Sequence, residues 1–306
     1  MTVNFEEAEN SPAIQFDSVI FATDFSSVSQ NAGLYASAFS RFFASKLVVA
    51  HGFMLTQAAL EVEAERPLSS QLRIDLLREL ARAAAPLQAG RGATETALLD
   101  GDPRKQVPLL AHRRSPALVV MGTHGGGVMN RLILGSTAEG ILRQSGESAL
   151  TVGPKVRALA AVPLRIRRIL YASDCTVEAA NGAATAVALA KSFSAELDIL
   201  NVIRSSDSVK PEDLPRIAEN YYKAIEAIMP LNARQICDPQ TFVSVGQPRT
   251  RILKHIDERK IDLLILGMRK SKHSGAQSRT SGMFPIIVEA KCPVLSVASG
   301  RSSEMS

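Results

Sequence analysis

Aromatic residues make up only 5% of the 306-residue chain, which leaves little material for stacking nucleobases along a single strand. Cysteine is as scarce. Cys175, Cys237 and Cys292 all lie in the second half, without C-x-x-C or Cys/His spacing. That pattern suggests neither a zinc site nor a disulfide framework, so the thiols read as reduced and mostly buried. No apolar run approaches membrane-spanning length, and residues 1–15, with Glu6, Glu7 and Glu9, lack the apolar core of a secretory signal. The expected location is therefore the cytoplasm, with no membrane partner. The formal net charge is +5, but basic residues come in short scattered groups such as Arg165, Arg167 and Arg168. This is the pattern of a solvated surface, and a nucleic-acid partner is not expected.

What the chain does contain is 46% hydrophobic and 21% charged residues, the composition of a soluble globular protein long enough for two domains. The decisive feature is an internal repeat. Val19-Ile20-Phe21-Ala22-Thr23-Asp24 returns as Ile169-Leu170-Tyr171-Ala172-Ser173-Asp174, an offset of 150 (174 minus 24). Leu47-Val48-Val49-Ala50-His51 returns at the same offset as Leu197-Asp198-Ile199-Leu200-Asn201. Further along the offset is 145, so that Gly101-Asp102-Pro103-Arg104 matches Gly246-Gln247-Pro248-Arg249, and Gly122 matches Gly267. The second copy is thus five residues shorter in its middle.

Each copy alternates short apolar runs with helix-length periodic segments, the pattern of an α/β domain whose parallel sheet is covered by helices. In the first copy strands are expected near 18–23, 46–51, 93–99, 117–121 and 148–152, and helices near 28–43, 68–88, 103–113 and 136–144. Pro103 suits the first turn of the third helix, whereas Pro108 should kink that helix or end it early. A linker over 153–163 separates expected domains at 16–153 and 166–299.

The most informative stretch runs from Gly122 to Ser136, with the spacing G-x-x-G, nine residues, G-S. It follows an apolar strand and precedes Ser136-Thr137-Ala138-Glu139, which reads as a helix start with a capping box from Ser136 to Glu139. Glycines after a strand let backbone N–H groups approach a ligand, and a helix N-terminus adds unpaired donors and a positive dipole end. Together they form an anion seat suited to a polyphosphate. Neither a G-x-x-x-x-G-K-[ST] loop nor a complete G-x-G-x-x-G is present.

On these residues the chain resembles the universal stress protein family in its tandem form, over nearly all of both copies. The likeness includes Ala22-Thr23-Asp24-Phe25-Ser26, Ala50-His51 and Gly135-Ser136-Thr137-Ala138-Glu139. The resemblance implies two open five-stranded parallel sheets of order 3-2-1-4-5 with helices on both faces. It places a ligand crevice at the switch point between the first and fourth strands. It further implies ATP, with or without Mg²⁺, as the ligand. Ala22, Thr23 and Asp24 would line the adenine side and the backbone at Gly52 would meet the adenine edge. Gly122, His124 and Gly125 would border ribose and phosphates, while Gly135, Ser136 and Thr137 would hold phosphate oxygens. An intramolecular pseudo-dimer through the fifth strands is expected, with a further homodimer contact left open. The second copy keeps Asp174 but has Lys270 for Gly125 and Thr280 for Gly135, so it is expected to lack the nucleotide loop. No acid/base pair or activated nucleophile stands near the loop, which favours a regulatory binding protein over a slow ATPase or a phosphate-transferring enzyme using His124 or Ser136.

Overall fold

The computed structural model describes residues 14–54, 68–123, 133–159, 164–176, 179–204, 211–268 and 282–298. The first repeat runs β1 (Ser18–Ala22), α1 (Ser27–Phe42), β2 (Lys46–Phe53), α2 (Leu68–Ala84), β3 (Glu95–Asp100), α3 (Pro103–Arg113), β4 (Ala117–Gly122), α4 (Ser136–Gln144) and β5 (Ser148–Val152). The second opens with β6 (Arg168–Ala172), α5 (Ala180–Phe193) and β7 (Glu196–Ile203), followed by a 3₁₀ turn at Pro211–Asp213. It continues with α6 (Leu214–Ile228), α7 (Ala233–Cys237), β8 (Gln240–Val245), α8 (Pro248–Arg259), β9 (Leu263–Met268), α9 (Phe284–Glu289) and β10 (Val294–Ala298). Close backbone contacts divide the chain into two compact units, one of residues 15–164 with Ile287–Glu289 and the other of the rest of the second repeat.

Strands in the first repeat are ordered β3-β2-β1-β4-β5, and in the second β8-β7-β6-β9-β10. Both are the expected 3-2-1-4-5 order, and the pairings within each repeat are parallel. In β1 and β4 consecutive side chains point to opposite faces, yet Ser18 to Phe21 and Ala117 to Met121 are all buried. Continuous burial of that kind requires cover on both faces of the sheet. The strands β3 and β8, last in their orders, are only partly buried.

The duplication extends to backbone detail. Gly101 and Gly246 take φ of 106° and 143° immediately before the capping positions of α3 and α8, conformations that L side chains rarely adopt. Pro103 and Pro248 then open the two helices. Pro108 does not end α3, which continues to Arg113. Its missing N–H costs one i→i−4 hydrogen bond, and the helix tolerates the loss because Val107 and Ala111 remain buried on its inner side.

The first half of the expected linker is held. Val156 is buried, Asn31 Nδ2 donates to Val156 O at 3.4 Å and its Oδ1 accepts from Leu159 N at 3.3 Å. The Tyr35 hydroxyl donates to Arg157 O at 3.2 Å. Residues 153–159 therefore lie against α1.

Candidate functional site

The site grows from the C-terminal ends of β1 and β4, the two strands from which the sheet order runs outward in opposite directions. Ala22 pairs with Ala50 on one side and Met121 on the other, so Thr23 leaves the sheet beside Gly122. Thr23 is buried and its polar groups are engaged. Its N–H donates to Ala50 O at 2.9 Å, and its Oγ1 accepts from Phe25 N at 3.0 Å and lies 3.0 Å from Ser29 Oγ. Its carbonyl is 2.8 Å from His51 Nδ1. Thr23 thus holds the loop in place, and the group it presents at the rim is the next residue, Asp24.

Asp24 is exposed. Its Oδ1 accepts from Ser26 N at 3.1 Å and from Ser26 Oγ at 2.6 Å. Ser26 in turn caps α1 by accepting from Ser29 N at 3.2 Å, a local side-chain bond that fixes where the helix starts. Phe25 sits between them at φ 62°, unusual for a bulky residue. Its ring stacks on His51, centroids 4.3 Å apart. That stack and the bonds of Ser29 escaped sequence reasoning. The Ser26-x-x-Ser29 cap was the signal that could have shown the turn.

Beyond the neighbouring strand, Thr123 follows β4 and its N–H donates to Val152 O at 3.3 Å, while its carbonyl accepts from Gly135 N at 2.8 Å. Gly135 is the N-cap of α4 and supplies no side-chain cap bond. The capping box from Ser136 to Glu139 does not form. Ser136 is already the first helical residue, and Glu139 bonds Arg143 one turn on at 2.8 Å. A glycine cap leaves the first helical amides without a side-chain acceptor. Ser136 and Thr137 are exposed in the first turn of the helix.

The structure therefore brings Asp24, Gly122, Gly135, Ser136 and Thr137 to the same end of the sheet. Gly52 has a packing reason of its own: a Cβ there would lie 2.6 Å from Pro103 Cβ and 2.9 Å from Pro103 Cα. His124 and Gly125 lie outside the described residues, as do Lys270 and Thr280. Among the described residues there is no group of three His, Cys, Asp or Glu side chains that could hold a metal ion, and no helix is long and apolar enough to cross a membrane.

The same wall recurs in the second repeat. Asp174 Oδ1 accepts from Thr176 N and Oγ1 at 3.3 and 2.8 Å, Cys175 takes φ 57° in the place of Phe25, and Cys175 N donates to Ser173 Oγ at 3.0 Å. Asn201 Nδ2 donates to Ser173 O at 3.0 Å where His51 meets Thr23 O. Asp174 is thus held in its own turn by Thr176, as Asp24 is by Ser26. Burial pushes the Cys175 thiol up to about 11, although hydrogen bonds from Ser173 and Asn201 pull the other way. Little thiolate then exists at pH 8. Cys175 is expected to react with iodoacetamide at least tenfold more slowly in the folded chain than in urea, which peptide mapping at pH 8 would read.

A profile of the Universal stress protein family matches residues 15–152 and again residues 165–298. The chain belongs to the universal stress protein family. No curated protein matches it. Among solved structures it is similar to a universal stress protein from Archaeoglobus fulgidus DSM 4304, at 22% identity over 94% of this chain and 98% of that one, with a TM-score of 0.66. It is similar to a functionally unknown protein from Pseudomonas aeruginosa PAO1, at 14% identity over 93% of each chain, with a TM-score of 0.55. A universal stress protein from Archaeoglobus fulgidus, in complex with dAMP, is 17% identical over 44% of this chain and 99% of its own, with a TM-score of 0.33. At such identities the likeness to solved structures is one of fold. In this universal stress protein the two matched segments are the two copies of the repeat.

Proposed function

We propose that the first repeat binds one ATP per chain and that the protein is a cytoplasmic regulator of the stress response whose state follows the bound nucleotide. The observation that carries this reading is the N-terminus of α4, which has no side-chain cap among the described residues. Gly135, tied to the end of β4 through Thr123 O, caps the helix without a side chain at the end of the sheet where β1 leads into Asp24. Helix N-termini of this kind are anion seats. The exposed hydroxyls of Ser136 and Thr137 add donors for phosphate oxygens, and the Asp24 carboxylate is placed to accept from a ribose or base donor. Mg²⁺, where present, would arrive on the phosphates, since nucleotide-bound Mg²⁺ takes most of its ligands from phosphate and water.

The test is calorimetric titration of ATP into protein of known active concentration. One site per chain is expected. Asp24→Ala should weaken binding roughly 10- to 100-fold, the size of one hydrogen bond to a charged group, whereas Asp174→Ala should leave it unchanged. Because the two aspartates close the same turn, both variants should lose similar, small amounts of thermal stability. Two equivalent sites per chain, or equal binding losses in the two variants, would defeat the assignment.

A further inference from the structure

We propose that the chain pairs with a second copy of itself through β8, which lies antiparallel to its own image about a two-fold axis at Val243. The strands β3 and β8 each have a neighbour on one side only, and their outer edges have no backbone partner among the described residues. Such an edge is a template for another strand unless something guards it. β3 is guarded. Glu95 stands at its start and Asp100 at its end, each in an ion pair open to solvent, with Arg114 and Arg73 respectively. At the equivalent places β8 has Gln240 and Val245. The run Gln240–Val245 contains neither a charge nor a proline, and Thr241, Phe242, Val243 and Val245 are residue types that suit strands.

The backbone fixes which groups face outward. Gly246 N donates to Ile203 O at 2.9 Å, and β7 and β8 are parallel with Ile203 beside Val245. Alternate residues of a strand turn their N–H and C=O to opposite sides. Phe242 and Ser244 therefore spend theirs on β7, while Thr241, Val243 and Val245 turn theirs away from it. The Val245 carbonyl accordingly takes a side-chain donor, Arg251 Nε at 2.7 Å, and keeps a second lone pair.

Side chains alternate as well. The Phe242 ring packs on His255 and Arg259, so Thr241, Val243 and Val245 point to the other face. Residues opposite each other in an antiparallel pair share a face, and outward groups must meet outward groups. Of the possible centres, Val243 is the one that engages all three outward-facing residues. Val243 then meets its own copy, Thr241 meets Val245 of the second copy, and Phe242 meets Ser244 across the axis. These are β-branched and aromatic pairs with no like charges opposed. The three hydrogen-bonded pairs, two bonds in each, supply about six bonds between chains. Pro239 falls outside the ladder. The helix α6 packs on β8, and the charges on and around it are matched in the pairs Asp213–Arg216, Glu219–Lys223 and Glu226–Arg234, so neither sign is in excess where α6 approaches its copy.

Sedimentation velocity on the full chain over a range of concentrations is the first measurement, and a monomer–dimer equilibrium is expected. Val243→Pro should raise its dissociation constant at least about tenfold, the size of one or two lost hydrogen bonds. Because the Val243 N–H points away from β7, the substitution removes no bond within the chain. Register is read by oxidative cross-linking of cysteine variants. Across a hydrogen-bonded pair the two Cα atoms at position 243 would lie about 5.5 Å apart, a span that a disulfide closes. Val243→Cys should therefore give a covalent dimer on oxidation. Ser244→Cys should not, since position 244 faces 242 of the second copy and its own copy lies on the longer diagonal, about 7–8 Å away. The unmodified chain, with Cys175, Cys237 and Cys292, is the control. A chain that stays monomeric at every concentration, a dimer indifferent to Val243→Pro in a variant that melts normally, or cross-linking as strong at Ser244→Cys as at Val243→Cys would each overturn the proposal. If Val243→Pro melts early, the comparison of the two cysteine variants decides by itself.

Discussion

Gly135→Asp is expected to weaken ATP binding about a hundredfold, roughly 2.7 kcal/mol, while the unfolding temperature stays level or rises slightly. The two effects have opposite signs because one feature serves both. As N-cap, aspartate accepts from the amides of the first helical turn and is a better cap than glycine by a few tenths of a kcal/mol. Those are the donors for which the glycine cap supplies no acceptor and to which no side-chain cap is bonded among the described residues. The substitution therefore occupies the phosphate's donors and sets a negative charge where the phosphate would lie. Gly135→Asn separates the contributions, since it fills the donors without adding charge and should fall between the two. Calorimetry gives affinity and a thermal melt gives stability. An Asp variant that melts normally and binds ATP as tightly as the unmodified chain would show that the α4 N-terminus is not the phosphate seat.

Asp198→Ala should cost about 3 kcal/mol of stability, the lower end of the range for breaking a buried charge pair. Asp198 lies on β7 and is 2% exposed, with Oδ2 2.8 Å from His255 Nε2 and 3.0 Å from Arg259 Nε. Oδ1 accepts a further bond from Arg259 Nη2 at 3.2 Å. The Phe242 ring packs against both partners, 4.7 Å from the His255 ring centroid and 5.5 Å from Arg259 Cζ. The lower end applies because Arg259 is 40% exposed and can recover water when its partner is removed. Burial by itself would raise the Asp198 pKa, but the hydrogen bonds from His255 and Arg259 and the guanidinium charge outweigh it and hold the carboxyl below its ordinary value. A carboxyl depressed in the folded chain contributes stability above its unfolded pKa and loses it as pH falls through the folded value. The difference between the unmodified chain and Asp198→Ala should therefore be constant near neutrality and shrink below about pH 4. Urea melts at several pH values would show this, and a gap that instead widened on acidification would refute the account.

Asp198 also shows where sequence reading stops. The run Leu197-Asp198-Ile199 is legible as a strand because its neighbours are apolar, and its equivalent in the first repeat is Val48. Nothing in the local pattern says that His255 and Arg259, about sixty residues later, will close on the carboxylate, because that pairing is made by the sheet order. The strands and most helix limits were legible for the opposite reason: their signals are local periodicity and caps. The crevice was legible in part. Asp24 and Gly122 reach it because β1 and β4 are parallel neighbours in register, which the 3-2-1-4-5 order already implied. The limits of α4 were legible but its cap was not, because Ser136 followed by Glu139 looks like a capping box, while the hydrogen bond from Gly135 N to Thr123 O that holds the cap residue spans twelve residues. The turn at Phe25 was hidden because a phenylalanine does not advertise a left-handed backbone.

The seating of residues 153–159 on α1 governs how the molecule can be taken apart. A half-length first copy ending at Val152 would strip Val156 from its place and leave the amide of Asn31 and the hydroxyl of Tyr35 without the carbonyls they bind. A fragment carried through Leu159 keeps those groups together. The repeat as a physical object is thus longer than the repeat as a sequence pattern, and dividing the gene at the end of the visible similarity would cut into a structure rather than a tether.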